Sequence, residues 1–227
     1  MKMLRYLDLE LDMPFVLWCQ GEDPTGRVTR ERQVDINLEL LPQARNLAEP
    51  SIVYHLFPLR EVRDEAVVLD GGATFRGRLL ADRFGLALEV ALALCTIGRD
   101  LENRVSTYRK EGDAVRAVLL DGIGTAAIGE LSDKAYELIR GVAAERAWEA
   151  SAPFQPGQLD WPLEDHCVFF DLLPAEELGL RLGSDFLMVP SKSVSLAVGL
   201  GEGMLPLARE RACRYCSLVD GCRFSRE

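Results

Sequence analysis

Apolar residues recur at Val115, Val118, Leu119, Leu131, Ala135, Leu138, Ile139 and Val142. That is the spacing of one helix face, sustained over about 35 residues and about 50 Å if unbroken at about 1.5 Å per residue. A break near Ser132 is the one alternative. No other segment of the chain carries so long a stripe, and the segments on both sides of it follow different periods.

Leu7 to Asp12 alternates strictly between leucine and acid, and Val34 to Leu40 repeats the alternation; both are predicted as half-buried strands. Gly21, Pro24 and Gly26 form a turn cluster between them. Ile52 to Leu56 and Ala66 to Leu69 read as short strands, with Pro50, Pro58 and Gly71-Gly72 marking the ends. Leu79, Leu80 and Phe84 suit a helix ending at Gly85. Leu86 to Cys95 is a short apolar run read as a buried strand, and Arg99 to Lys110 is polar and helical. Ser151 to Trp161 is a loop by composition, and Pro162 suits the first turn of a short helix. Leu178 to Leu182, Phe186 to Val189 and Val194 to Leu200 read as strands. Strands, then helices, then strands predict an α+β fold rather than regular βαβ alternation. The expected organisation is a strand-rich part of one domain over 1–75, a helical and sheet core over 76–208, and a cysteine-rich tail over 209–227.

A chain that is 48% hydrophobic and 27% charged has enough apolar surface to fold and is not a disordered sequence. The formal charge of -10 argues against a non-specific nucleic-acid binder and against docking on an anionic membrane. No apolar h-region follows Met1, and no run approaches the length of a membrane span. A cytoplasmic protein with reduced thiols is expected. Cys19, Cys95 and Cys167 then read as single buried hydrophobes.

Gly122, Gly124 and Ala127 match the dinucleotide pattern G-x-G-x-x-A after an apolar run. The second acidic-tipped strand that this fingerprint needs is absent, because Leu138 to Glu149 is helical in period. Gly122, Ala126 and Gly129 are therefore read as a small-residue helix face that admits another element. His55 and His166 have no second histidine at helical spacing, which disfavours a histidine zinc site. His166 and Cys167 are neighbours about 100° apart on a helix, so one is expected exposed and the other buried.

Cys213, Cys216 and Cys222 make C-x2-C-x5-C, a spacing at which thiolates reach one metal ion or cluster. An iron–sulfur cluster, zinc, redox thiols or an inert tail remain open from the residues alone. Arg209, Arg211, Arg214, Arg223 and Arg226 surround the motif and favour the thiolate form.

Three stretches together resemble the activation domain of cobalamin-dependent methionine synthase, particularly free-standing relatives. They are Thr96 to Glu102 with Leu119 to Gly124, then Pro156 to Leu163, then Met188 to Ser195 followed by the cysteine tail. The resemblance covers about residues 90 to 227. It implies a single α+β domain around a twisted antiparallel sheet, with packed helices. It also implies reductive reactivation, in which S-adenosylmethionine methylates an idle cobalamin after one electron arrives from a redox protein. Pro156, Gly157, Gln158, Lys192, Ser193 and Ser195 stand in the matching motifs and are the implied cofactor-binding residues. Pro153 and Gln158 replace the arginine and tyrosine of the family's loop, and Leu182 to Asp185 replaces its Leu-Thr-Glu-Ser stretch. No D-x-H-x-x-G pattern occurs, so the cobalamin belongs to a separate corrinoid protein or methyltransferase. A non-catalytic metal-binding or iron–sulfur assembly module, and an S-adenosylmethionine-binding sensor, are the competing expectations.

Overall fold

The chain opens with strand β1 (Lys2–Arg5), helix α1 (Met13–Cys19) and helix α2 (Glu31–Leu47). Strands β2 (Ser51–Arg63), β3 (Ala66–Leu69) and β4 (Thr74–Arg76) lead to helix α3 (Arg78–Phe84) and strand β5 (Glu89–Thr96). Helices α4 (Asp100–Lys110) and α5 (Ala114–Ala144) precede the short strand β6 (Glu149–Ala150). Helix α6 (His166–Leu172) and strands β7 (Arg181–Leu182), β8 (Met188–Val189) and β9 (Ser193–Gly201) complete the order. This computed structural model describes residues 1–21, 31–158 and 160–204.

Among the described residues the main sheet is antiparallel in the order β4-β3-β2-β5-β9-β6, with β1 paired to β2. Central β5 is buried on both faces, which is why it reads as a continuous apolar run rather than an alternation. One face, through Ile52, Ala93, Cys95, Leu196 and Val198, packs on α1, α2, α4 and α5. The other, through Val53, Leu92, Leu94 and Ala197, packs on α3, α6 and an aromatic group of Phe75, Phe154, Trp161 and Phe169. The result is one α+β domain, as the order of periods predicted.

Helix α5 runs through Ser132 without a break. Its start is set by Asp113, whose carboxylate accepts from the Arg116 backbone N–H at 3.0 Å, satisfying a donor the helix cannot. Gly122 and Gly129 face Gln20 and Phe15 of the α1 segment, and a Cβ at Gly129 would stand 3.2 Å from the Phe15 ring. The small-residue face is thus a packing surface, and α1 is the element it admits.

Several expectations fail. Val34 to Leu40 belongs to α2, where Asn37, Leu40, Leu41 and Ala44 are buried. Their spacing is helical, and it outlasts the seven alternating residues that suggested a strand. Leu7 to Asp12 lies outside any strand, although the alternation is real: Leu7, Leu9 and Leu11 pack on the core while Asp8, Glu10 and Asp12 are exposed. The segment is an extended strap, tied to the fold by the Leu7 N–H donating to the Pro50 carbonyl at 3.2 Å.

Pro58 lies inside β2 rather than at its end. It falls where β2 moves from β5 to β3 as partner: Leu59 donates to Leu88 at 2.9 Å, and Asp70 donates to the Pro58 carbonyl at 2.8 Å. A missing N–H costs little at such a crossing. Of the three solitary cysteines, Cys19 and Cys95 are buried but Cys167 is exposed, because His166 takes the inward face of α6. Residues 178–182 give only the two-residue β7 after a short 3-10 turn.

Candidate functional site

Lys192 precedes strand β9, Ser193 and Ser195 lie within it, and the loop that carries Pro156–Gln158 runs beside it. The loop after β6 reaches it through Phe154, which exchanges backbone hydrogen bonds with Ala197 at 2.9 and 2.7 Å. Pro156 is buried and Gly157 exposed. Gly157 has φ +87°, a conformation a side chain would strain, and it donates to the Trp161 carbonyl at 2.9 Å. The Gln158 side-chain oxygen accepts from the Gln155 N–H at 3.3 Å.

Two carboxylates fasten this loop to the β4–α3 corner. Asp160 accepts from Arg78 N–H at 2.6 Å and Leu79 N–H at 3.2 Å, at the start of α3. Asp165 accepts from Arg76 N–H at 3.0 Å and from the Trp161 indole at 2.9 Å. Asp160 and Asp165, which follow the turn Pro156–Gln158, are thereby tied to the β4–α3 corner.

At the other group, the Lys192 ammonium lies 3.1 Å from Asp121 and 3.0 Å from the Thr125 hydroxyl. These two residues stand one turn apart on α5, on the same face. The Lys192 side chain is only 13% exposed, and its stem crosses Gly124, where a Cβ would stand 3.3 Å from Lys192 Cε. Glu102 of α4 accepts from the Lys192 N–H at 2.9 Å and from the Ser191 hydroxyl. A cation with this little exposure needs such partners, since an unpaired buried charge is expensive.

Ser193 hydrogen-bonds Thr96 at 2.9 Å and the Pro190 carbonyl at 2.8 Å. Ser195 is fully buried, and its hydroxyl lies 3.0 Å from His166 Nε2. His166 Nδ1 lies 3.0 Å from the Phe186 carbonyl. Burial holds the His166 pKa below its ordinary value, opposed by the Phe186 bond and Asp165.

No hydrogen bond or ion pair joins Pro156–Gln158 to Lys192–Ser195 among the described residues. The link is mechanical: α6, which follows the loop, reaches β9 through His166 and Ser195. Asp121, Glu102 and Thr125 complete the site and were not singled out from sequence, and His166 was weighed only as a metal ligand and as the neighbour of Cys167. Glu102 and Asp121 lie within the resembling stretches, but nothing in their spacing tells that both close on Lys192.

Cys213, Cys216 and Cys222 lie outside the described residues. Among the described residues no group of three or more histidine, cysteine or acidic side chains is arranged to hold a metal ion, and no helix is long and apolar enough to cross a membrane.

No protein-family model and no curated protein matches the sequence. Among solved structures, the crystal structure of the MetH reactivation domain bound to AdoHcy aligns with a TM-score of 0.67 at 14% identity, covering 92% of this chain and 81% of that one. The chain has the reactivation-domain fold, a single α+β domain around an antiparallel sheet.

Proposed function

We propose that this chain is a stand-alone activation-domain-like protein that assists reductive reactivation of a cobalamin carried by a separate corrinoid protein or methyltransferase. The observation that carries the reading is the fold, which follows a reactivation domain bound to AdoHcy over 92% of this chain. The three resembling stretches support it, since they fall on α4, α5, the loop after β6 and the start of β9.

In this reading Pro156, Gly157 and Gln158 contact S-adenosylmethionine, while Lys192, its ammonium held by Asp121 and Thr125, acts by position. The exposed Gly157 turn lets backbone approach a ligand closely. Ser193 and Ser195 act by position, because their hydroxyls are spent on Thr96, Pro190 and His166. The residues present lack the family's carboxylate partner, because Pro153 supplies no guanidinium fork and the Lys192 ammonium is already matched by Asp121. When bound, S-adenosylmethionine supplies an electrophilic methyl group to a cobalt centre that a redox protein has reduced by one electron. The chain's own work is to bind, orient and dock. A cytoplasmic setting suits such partners.

A second reading rests on C-x2-C-x5-C: an assembly or metal-handling module using Cys213, Cys216 and Cys222 to hold an iron–sulfur cluster or zinc. A sensor that binds S-adenosylmethionine without methyl transfer is the third.

Calorimetric titration with S-adenosylmethionine separates these readings. Saturable heat below about 1 mM ligand is expected; none would sink the first and third. Transfer of a radiolabelled methyl group to a reduced corrinoid protein, stimulated by the chain, supports the first over the third. Iron and zinc assays after anaerobic purification decide the tail, and a colourless, metal-free protein with normal titration removes the second.

A further inference from the structure

The turn that carries Pro156, Gly157 and Gln158 has no backbone donor left for a ligand. Pro153 and Pro156 have no N–H. Phe154 donates to the Ala197 carbonyl at 2.9 Å, and Gln155 to the Gln158 side-chain oxygen at 3.3 Å. Gly157 donates to the Trp161 carbonyl at 2.9 Å, and Gln158 to the Gln155 carbonyl at 3.1 Å. Every N–H from 153 to 158 is thus absent or spent. The carbonyl oxygens of Pro153, Pro156 and Gly157, by contrast, accept no bond from a described residue.

The charges point the same way. No lysine, arginine or histidine occurs from 147 to 165, whereas Asp160, Glu164 and Asp165 close that segment. Asp160 and Asp165 accept backbone N–H groups, but none of the three carboxylates forms an ion pair with a described residue. The turn keeps for a ligand its acceptor oxygens, nearby negative charge and the neutral carboxamides of its two glutamines.

We propose that this turn selects an adenosyl sulfonium through its cationic part and gives no recognition to an amino-acid carboxylate. This selectivity rests on the S-adenosylmethionine reading above. A carboxylate leaving water needs a cation or several N–H donors in exchange. Here it meets two neutral amides and three acids. Sulfonium and ammonium groups suit acceptor oxygens and gain from the acids. The favoured ligand is therefore an adenosyl sulfonium that carries an amine and no carboxylate, and S-adenosylmethionine binds more weakly.

Calorimetry on the full chain tests this with S-adenosylmethionine, its decarboxylated analogue and the uncharged 5′-methylthioadenosine. The decarboxylated compound is expected to bind about three- to ten-fold more tightly than S-adenosylmethionine, and the uncharged thioether more weakly than the decarboxylated compound. The first ratio should narrow as salt rises from about 0.02 M to about 0.3 M; a ratio that salt does not change overturns the part given to the acids. Two-dimensional NMR with the decarboxylated compound should shift the amides of residues 154, 155, 157 and 158, and saturable shifts confined elsewhere overturn the turn as the selecting element. S-adenosylmethionine binding as tightly as the decarboxylated compound, or more tightly, overturns this selectivity and leaves the S-adenosylmethionine reading standing. No saturable heat with any of the three overturns both.

Discussion

The hydroxyl of Ser195, on the central sheet, donates to Nε2 of His166, on helix α6, across 3.0 Å. The direction follows from the other ring nitrogen: Nδ1 lies 3.0 Å from the Phe186 carbonyl, which can only accept, so Nδ1 carries the proton and Nε2 the lone pair. Both residues are buried, at 0% and 5% exposure, and the pair pins the helix that follows the Pro156–Gln158 loop onto strand β9.

Removing the donor leaves the imidazole lone pair buried and unsatisfied. Ser195→Ala is expected to cost about 2 kcal/mol in urea unfolding. If Ser195 acts by position, affinity for S-adenosylmethionine stays within about two-fold. A loss of binding greater than the loss of stability would place the hydroxyl against ligand instead.

The pair also sets a pH dependence. Burial lowers the folded-state pKa of His166 below its ordinary 6.5, so below that pH the unfolded chain binds the proton more readily than the folded one. Stability contributed by neutral His166 is then complete above about pH 6.5 and falls as pH drops toward the depressed folded value. His166→Gln should flatten that slope in urea midpoints measured between about pH 7 and 5. An unchanged slope would show that other groups set it.

Helical glycines on α5 should respond in opposite directions. A methyl group added at Gly141 would meet nothing within 4 Å, so Gly141→Ala is expected to stabilise by up to about 1 kcal/mol through helix propensity. Gly122 faces Gln20, whose side chain is held by Asn37 at 2.7 Å, the Leu119 carbonyl at 2.9 Å and Gln33 at 2.9 Å. Gly122→Ala must displace that network and is expected to destabilise by about 1–3 kcal/mol. Denaturant midpoints of the two variants decide it.

Asp160→Ala removes the carboxylate that satisfies the first N–H groups of α3. A cost of about 1 kcal/mol is expected, with faster hydrogen exchange at the Arg78 and Leu79 amides and in the 155–158 turn. Protection unchanged at those amides would mean that Trp161 and Asp165 hold the corner alone.

How far the sequence was legible is clear from individual elements. The α5 stripe and the β5 apolar run needed no partner to be recognised, because each pattern is longer or denser than the alternatives allow. Val34 to Leu40 misleads because its seven residues satisfy a strand period, while the helical pattern that decides the matter begins at Asn37 and continues to Ala44. The strap Leu7 to Asp12 shows the complement: alternation reports which side faces the core, not whether a neighbouring strand is present to make a ladder. Within the site, Lys192 and Ser195 could be marked by resemblance, but their partners could not.

The sequence by itself determined the fold class, the long helix, the buried central strand and the reading of the α5 glycines as a packing face. Those properties are written in local periodicity and residue size, which a chain carries before it folds. Only the tertiary structure decided that Lys192 is neutralised by Asp121 and its segment held by Glu102, or that Ser195 is committed to His166. Partners at separations of 71, 90 and 29 positions in the chain have no periodic signature. They become neighbours because the sheet and two helices bury a cation and a hydroxyl that must then be matched.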